Sequence, residues 1–188
     1  MSIFSKVAMP KPKHNTFDLS HSRKFSASIG AITPIMVMET VPGDSFDIKS
    51  TNLLRYAPLV APVMHQSSVY THFFFVPNRI LWDNWEEYIT GGEDAADPSY
   101  TPPVFPTYEP SGASATIKAG TLADYLGLPT DQGTADYTGQ KFSALPFMAY
   151  NKIFNEYYRD QNLVDKVPDK ASDGANSFNN INVIQNRA

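Results

Sequence analysis

The sequence predicts a mainly β, loop-rich fold, on three observations. Only 18% of the residues are charged, 13% are aromatic, and fifteen are proline. Low charge with many aromatics points to large buried contacts, and proline is penalised inside helices, which argues against a helical bundle. With 188 residues, 42% of them hydrophobic, the chain is long enough for one domain with its own core and too apolar for wholesale disorder. It has no cysteine, which excludes disulfides, thiolate metal sites and a cysteine nucleophile. No run of about 18 apolar residues occurs, so no transmembrane helix and no membrane insertion are expected. The opening MSIFSKVAMPKPKHN lacks the apolar core of a signal peptide, which predicts a chain made and kept in a cytoplasm.

Residues 1–24 read as a basic, extended arm, since Pro10 and Pro12 bias their neighbours toward extended backbone and no apolar periodicity is present. The body, 25–188, begins with an apolar run to Glu39 in which Pro34 suits a strand start or edge. Pro42-Gly43-Asp44 is a turn. Phe46 and Ile48 then alternate with Asp47 and Lys49, the pattern of a half-buried strand over 45–50. Residues 57–64 carry Pro58 and Pro62 and read as a rigid loop. The segment 68–76, SVYTHFFFV, is the strongest strand signal, and Phe73-Phe74-Phe75 put bulk on both faces. Such a strand needs cover on both sides, from its own fold or from a neighbouring subunit.

Three helices are expected at about 79–90, 121–126 and 143–161. Leu81, Trp82, Trp85, Tyr88 and Ile89 follow helical spacing up to Gly91-Gly92. Thr121 and Asp124 resemble a capping box, and Gly127 ends that helix. Pro146 suits the first turn of the third, along which Phe147, Tyr150, Phe154 and Tyr157 step by three and four on one side. Residues 93–120, with Pro98, Pro102, Pro103, Pro106 and Pro110, read as a long loop of the kind that serves interaction surfaces. Residues 168–182 also read as loop, and the apolar Ile181, Val183 and Ile184 follow.

No catalytic constellation emerges. The nucleotide-phosphate, zinc-protease and serine-hydrolase motifs are missing. His14, His21, His65 and His72 lack partners at ligand spacing, and His72, inside the aromatic strand, is expected to be a hydrogen-bonded structural residue. Gly91-Gly92-Glu93-Asp94 superficially resembles a nucleotide-cyclase signature but reads better as a helix stop before an acidic loop, and the acids do not follow EF-hand spacing. Charge is uneven. In the arm, Lys6, Lys11, Lys13, Arg23 and Lys24 stand against Asp18 alone, a net +4 that leaves −8 for the rest of the −4 chain. Between Arg79 and Lys118 every charged residue is acidic. A basic arm on an acidic body suits a polyanion partner, and the five cations are candidate nucleic-acid contacts that would act by counterion release, the alternative being a solvated tail. Phe73, Phe74, Trp82, Trp85, Phe147, Tyr150, Phe154 and Tyr157 are candidate core or subunit-interface residues, aromatics being at home in both places.

Four strings carry a family resemblance: HSRKF at 21–25 with the run to Thr33-Pro34, VPGDSFDI at 41–48, THFFFVPNRILWDNWEEYITGG at 71–92, and LPFMAYNKIFNEYYRDQNL at 145–163. Together they resemble the major capsid protein of Microviridae, of the gokushovirus type, in its N-terminal portion. The resemblance implies a jelly-roll β-sandwich of eight antiparallel strands with long inserted loops. It implies sixty copies in a T=1 icosahedral shell around circular single-stranded DNA, with no enzymatic activity and no cofactor. Other virion or scaffolding proteins and a host surface receptor are further implied partners. Family members are longer than this chain, so the remaining strands are expected outside it. The rival reading is a jelly-roll module that binds a carbohydrate or receptor without building a shell.

Overall fold

In the computed structural model, the described residues are 13–92, 100–105, 117–130, 141–176 and 183–184. Their elements, in order, are helix α1 (Asn78–Leu81), helix α2 (Trp85–Thr90), strand β1 (Val104–Phe105), helix α3 (Leu122–Tyr125), strand β2 (Phe142–Ser143) and helix α4 (Leu145–Ile153), which continues into a π-helical turn at Phe154–Tyr158. β1 and β2 pair antiparallel, Val104 opposite Ser143 and Phe105 opposite Phe142. The acidic residues Glu93, Asp94, Asp97 and Glu109, together with Ile181, lie outside the described residues.

The three expected helices are present but shorter, and each ends for an identifiable reason. The stretch expected to run through 79–90 is two helices, because Trp82 adopts extended backbone, with φ −139° and ψ 117°. Its indole is 1% exposed, and Nε1 donates to Asp173 Oδ1 at 2.6 Å. Asn84 Nδ2 donates to both oxygens of the same carboxylate. Leu81 O accepts from Ala171 N–H at 2.7 Å. Burying the indole with a charge-assisted hydrogen bond outweighs one more helical turn. Gly91, at φ 83°, closes α2 as the glycine pair predicted.

Helix α3 starts at the predicted Thr121, but the capping box is shifted by one residue. The Asp124 carboxylate accepts from Gly120 N–H at 2.7 Å, while the Thr121 hydroxyl donates back to Lys118 O. Its C-terminus is a Schellman motif: Gly127, at φ 96°, donates to Asp124 O and Leu128 donates to Ala123 O, both at 3.0 Å.

Phe105, Leu122, Ala123, Phe147 and Tyr150 form the core, and Ile32, Ile117, Leu126, Leu128, Phe142, Val183 and Ile184 pack around it. Phe105 lies in the stretch expected to be loop only, yet its ring stacks on Phe147 with centroids 4.6 Å apart. Tyr150 closes this core. Its hydroxyl donates to Ile32 O and accepts from Ile184 N–H, each at 2.8 Å, and Ile32 N–H donates to Ile184 O. Burial pushes its pKa up to about 12, the hydrogen bond from Ile184 opposing in part.

Of the loop expected over 168–182, residues 168–176 are described and are loop, but a tightly held one. Asn151 Nδ2 donates to Pro168 O, and Asn155 both donates to Val167 O and accepts from Val167 N–H. Gly174 and Asn176 exchange backbone hydrogen bonds with Thr101 and Val104. The Asp169 carboxylate is buried, with Lys166 Nζ at 3.2 Å and Lys152 Nζ at 3.5 Å. Burial by itself raises its pKa. Hydrogen bonds from Lys166 and Asn155 and the two ammonium charges outweigh it, so the group sits below the usual aspartate range.

The strands expected over 45–50 and 68–76 form no ladder among the described residues. A strand needs a partner backbone, and β1–β2 is the one sheet these residues form. The eight-stranded sandwich is therefore not seen in them.

Two outcomes test this account. Tyr150→Phe leaves a buried N–H and C=O unpaired and should cost about 1–3 kcal/mol in denaturant unfolding. The pH profile should fall at both ends. Asp169, depressed in the folded state, stabilises fully above its ordinary value near pH 4 and loses that contribution as pH falls below it. Tyr150, raised in the folded state, stabilises fully below its ordinary value of 10.0 and loses that contribution as pH rises toward about 12. Asp169→Asn should flatten the acid limb of a melting-temperature profile, and Tyr150→Phe the alkaline one.

Candidate functional site

The expected core or interface residues divide into two groups. Trp82, Phe147, Tyr150 and Phe154 are buried. Trp85 is half-buried, with its ring edge-on to Trp82 and tilted against Tyr88. Phe73 is 55% exposed, Phe74 37% and Tyr157 70%. Tyr157 leaves the face shared by Phe147, Tyr150 and Phe154 because the π-turn carries more residues per turn than α-helix. The three-four spacing that aligned it in the sequence therefore no longer holds.

That rotation builds a second aromatic group. Tyr157 meets Phe74 with centroids 4.8 Å apart. The Tyr158 ring stacks on His72 at 5.9 Å and 16°, and its hydroxyl hydrogen-bonds His72 Nδ1. His72 is thus hydrogen-bonded, as its setting predicted, at an exposed position. Thr71, His72, Phe73, Phe74, Tyr157 and Tyr158 line an open groove of about 520 Å³.

The groove is one end of a larger uncovered face. Asn52 Nδ2 donates to Thr71 Oγ1 at 3.2 Å, and the Tyr56 hydroxyl donates to Ser67 Oγ. Four residues forward on one segment match four back on the other, so 45–56 and 67–76 run side by side and antiparallel. Among the described residues, no backbone hydrogen bond joins them. Leu53, Leu54, Val69, Phe73 and Phe75 are exposed along them.

The basic residues also divide. Lys6 and Lys11 lie outside the described residues. Lys13 and Lys24 are exposed. Arg23 is committed elsewhere, with Nη1 donating to Ile35 O at 3.0 Å and Nη2 to Asp124 O at 3.2 Å. Its partners, twelve and 101 residues away, carry no signal in the sequence.

Among the described residues, no three His, Asp or Glu side chains gather in a metal-binding group, and no helix is long and apolar enough to cross a membrane. The described face is apolar and aromatic, a surface suited to being covered by another surface.

Comparison with known proteins agrees with the motifs. Residues 5–187 match the family described as capsid protein (F protein). Capsid protein VP1 of Chlamydia phage 1 is 41% identical over 167 residues, which cover 88% of this chain and 27% of that protein. Capsid protein VP1 of Bdellovibrio phage phiMH2K is 31% identical over 183 residues, 97% of this chain and 32% of that protein. Capsid protein VP1 of Spiroplasma virus 4 is 31% identical over 188 residues, again 32% of its length. The chain thus spans about a third or less of these relatives. No solved structure matches it. With nearly its whole length inside the family match and its four motif strings in place, the chain belongs to the phage capsid protein (F protein) family, of the Microviridae type.

Proposed function

We propose that this chain is part of a structural subunit that self-assembles into the shell of a small bacteriophage: a T=1 icosahedral capsid of sixty copies enclosing circular single-stranded DNA. The observation that carries the reading is the uncovered aromatic face at Phe73, Phe75 and Tyr157, on a member of a capsid protein family. Exposed apolar area of this extent is costly in water and marks a contact surface. In this reading it is covered by sister subunits and by further strands of a jelly-roll sandwich. The work of the protein is burial of surface, with no catalytic step. Its place is the virion, assembled in the host bacterial cytoplasm, where scaffolding or other virion proteins and a host receptor are its further partners.

The arm supplies the link to the genome. Lys6, Lys11, Lys13 and Lys24 neutralise phosphates without reading sequence, and sixty copies sum weak contacts by multivalency. Arg23 does not share that role.

Expression of the full-length capsid polypeptide followed by negative-stain imaging tests the class. Closed particles of uniform small size are expected, whereas a monomer that binds sugars and never assembles would replace this reading with the receptor-module one. Within particles, Trp82→Ala should cost about 3–5 kcal/mol of subunit stability, because it empties a fully buried site. Trp85→Ala, at a half-buried ring, should reduce particle yield more than it lowers the subunit's melting temperature. Equal effects from the two would place Trp85 in the core instead. Changing the four lysines to Ala should lower genome retention and flatten its salt dependence.

A further inference from the structure

We infer that Arg23 is the anchor of the basic arm, a positioning residue that fixes where the arm leaves the body. The inference rests on the reading of the arm as DNA-facing, and it changes which residues do that work. The guanidinium bridges two carbonyls from unrelated parts of the chain: Ile35 O at 3.0 Å and Asp124 O at 3.2 Å. Only a planar fork with donors on separate nitrogens meets both at once, and a lysine ammonium on its flexible stem does not reproduce that geometry. Asp124 O is also the acceptor of the Gly127 amide in the turn that closes α3, so the fork lands on a fixed point.

Two further contacts converge on the same spot. The Tyr125 hydroxyl donates to Ser26 O at 2.6 Å. The Phe25 ring meets Tyr125 edge-on, with centroids 5.9 Å apart at 80°. Residues 23–26 are therefore held by one helix through an arginine, a backbone carbonyl and a ring. Upstream the pattern changes. Residues 13–30 are all exposed, but from 13 to 22 the hydrogen bonds are local: Ser20 N–H to Asp18 Oδ1, and His21 Nδ1 with Leu19 O. The arm is rooted at Arg23. Lys24 is held at the root, and Lys13 stands ten residues out, a reach of up to about 35 Å for extended chain.

Trypsin reads this directly, because Lys13 and the Arg23-Lys24 pair are both cleavage sites, one upstream of the root and one within it. In the unassembled full-length capsid polypeptide, wild type should be cut after Lys13 well before it is cut after residues 23 or 24. Arg23→Lys keeps the charge and the cleavage site but loses the fork. It should speed cutting at 23–24 about tenfold while leaving Lys13 unchanged. Tyr125→Phe, which loosens the root from the helix side, should speed it severalfold. A wild-type rate at 23–24 in both variants, with unchanged melting temperature, would overturn the anchor.

Genome retention in particles against salt separates the two roles. An anchor makes Arg23→Lys and Arg23→Ala alike, whereas a phosphate contact would lower the salt slope in Arg23→Ala alone and sink the inference. If instead Lys13→Ala and Lys24→Ala leave retention untouched, the DNA reading of the arm fails while the cleavage result stands.

Discussion

Everything the chain folds by itself depends on one buried hydroxyl. Tyr150 reaches out of the Phe105–Phe147 core to bond the backbone at Ile32 and at Ile184, two points 152 positions apart in the sequence. Buried backbone groups must find partners, and neither segment lies in a strand that would supply them. A phenol suits this role because its ring contributes apolar area to the core while its oxygen both donates and accepts. The cost of deprotonating it there, seen in its raised pKa, has the same origin as its stabilising effect: a dry site in which only the neutral form keeps both hydrogen bonds.

The second tier of order is built from amides rather than from hydrophobic area. Asn151, Asn155 and Asn176 are all buried and each grips backbone in the 167–174 loop. That loop in turn reaches Leu81, Thr101 and Val104, and its Asp173 holds Trp82. A polar network of this kind stands only if every member is satisfied. It therefore specifies one arrangement of α1, β1 and α4 where a small apolar core would tolerate several.

What the sequence made legible was what local chemistry decides. Helix positions, Pro146 in the first turn of α4, Gly91 and Gly127 at helix ends and the Pro42-Gly43 turn all follow from residues a few places apart, and all are found. What it hid depends on distant partners. The break at Trp82 needs Asp173, ninety-one residues on. The core role of Phe105 needs Phe147 and was masked by the prolines around it. The turn of Tyr157 away from the core needs a π-turn, which no spacing rule of α-helix reveals. Arg23 looked like one more cation in a basic tail, and its two carbonyl partners could not be read from its neighbours. The family itself was legible, because long uncommon strings identify it without any knowledge of contacts.

The strand readings failed in a different and more informative way. Residues 45–50 and 68–76 have the composition of strands, and between them two side-chain hydrogen bonds, Asn52 to Thr71 and Tyr56 to Ser67, set the adjoining chain in antiparallel order. They lack only backbone partners. A local signal this strong, paired with an unfilled ladder and an exposed Phe73–Phe75 run, is a consistent description of strands whose hydrogen bonds are made elsewhere. Propensity is a property of the segment, whereas a ladder is a property of two. For a shell-forming protein the second half of that pair need not belong to the same stretch of chain. The aromatic excess that first marked this sequence divides accordingly: Trp82, Phe105, Phe147, Tyr150 and Phe154 fill the chain's own core, while Phe73, Phe74, Phe75 and Tyr157 stand exposed.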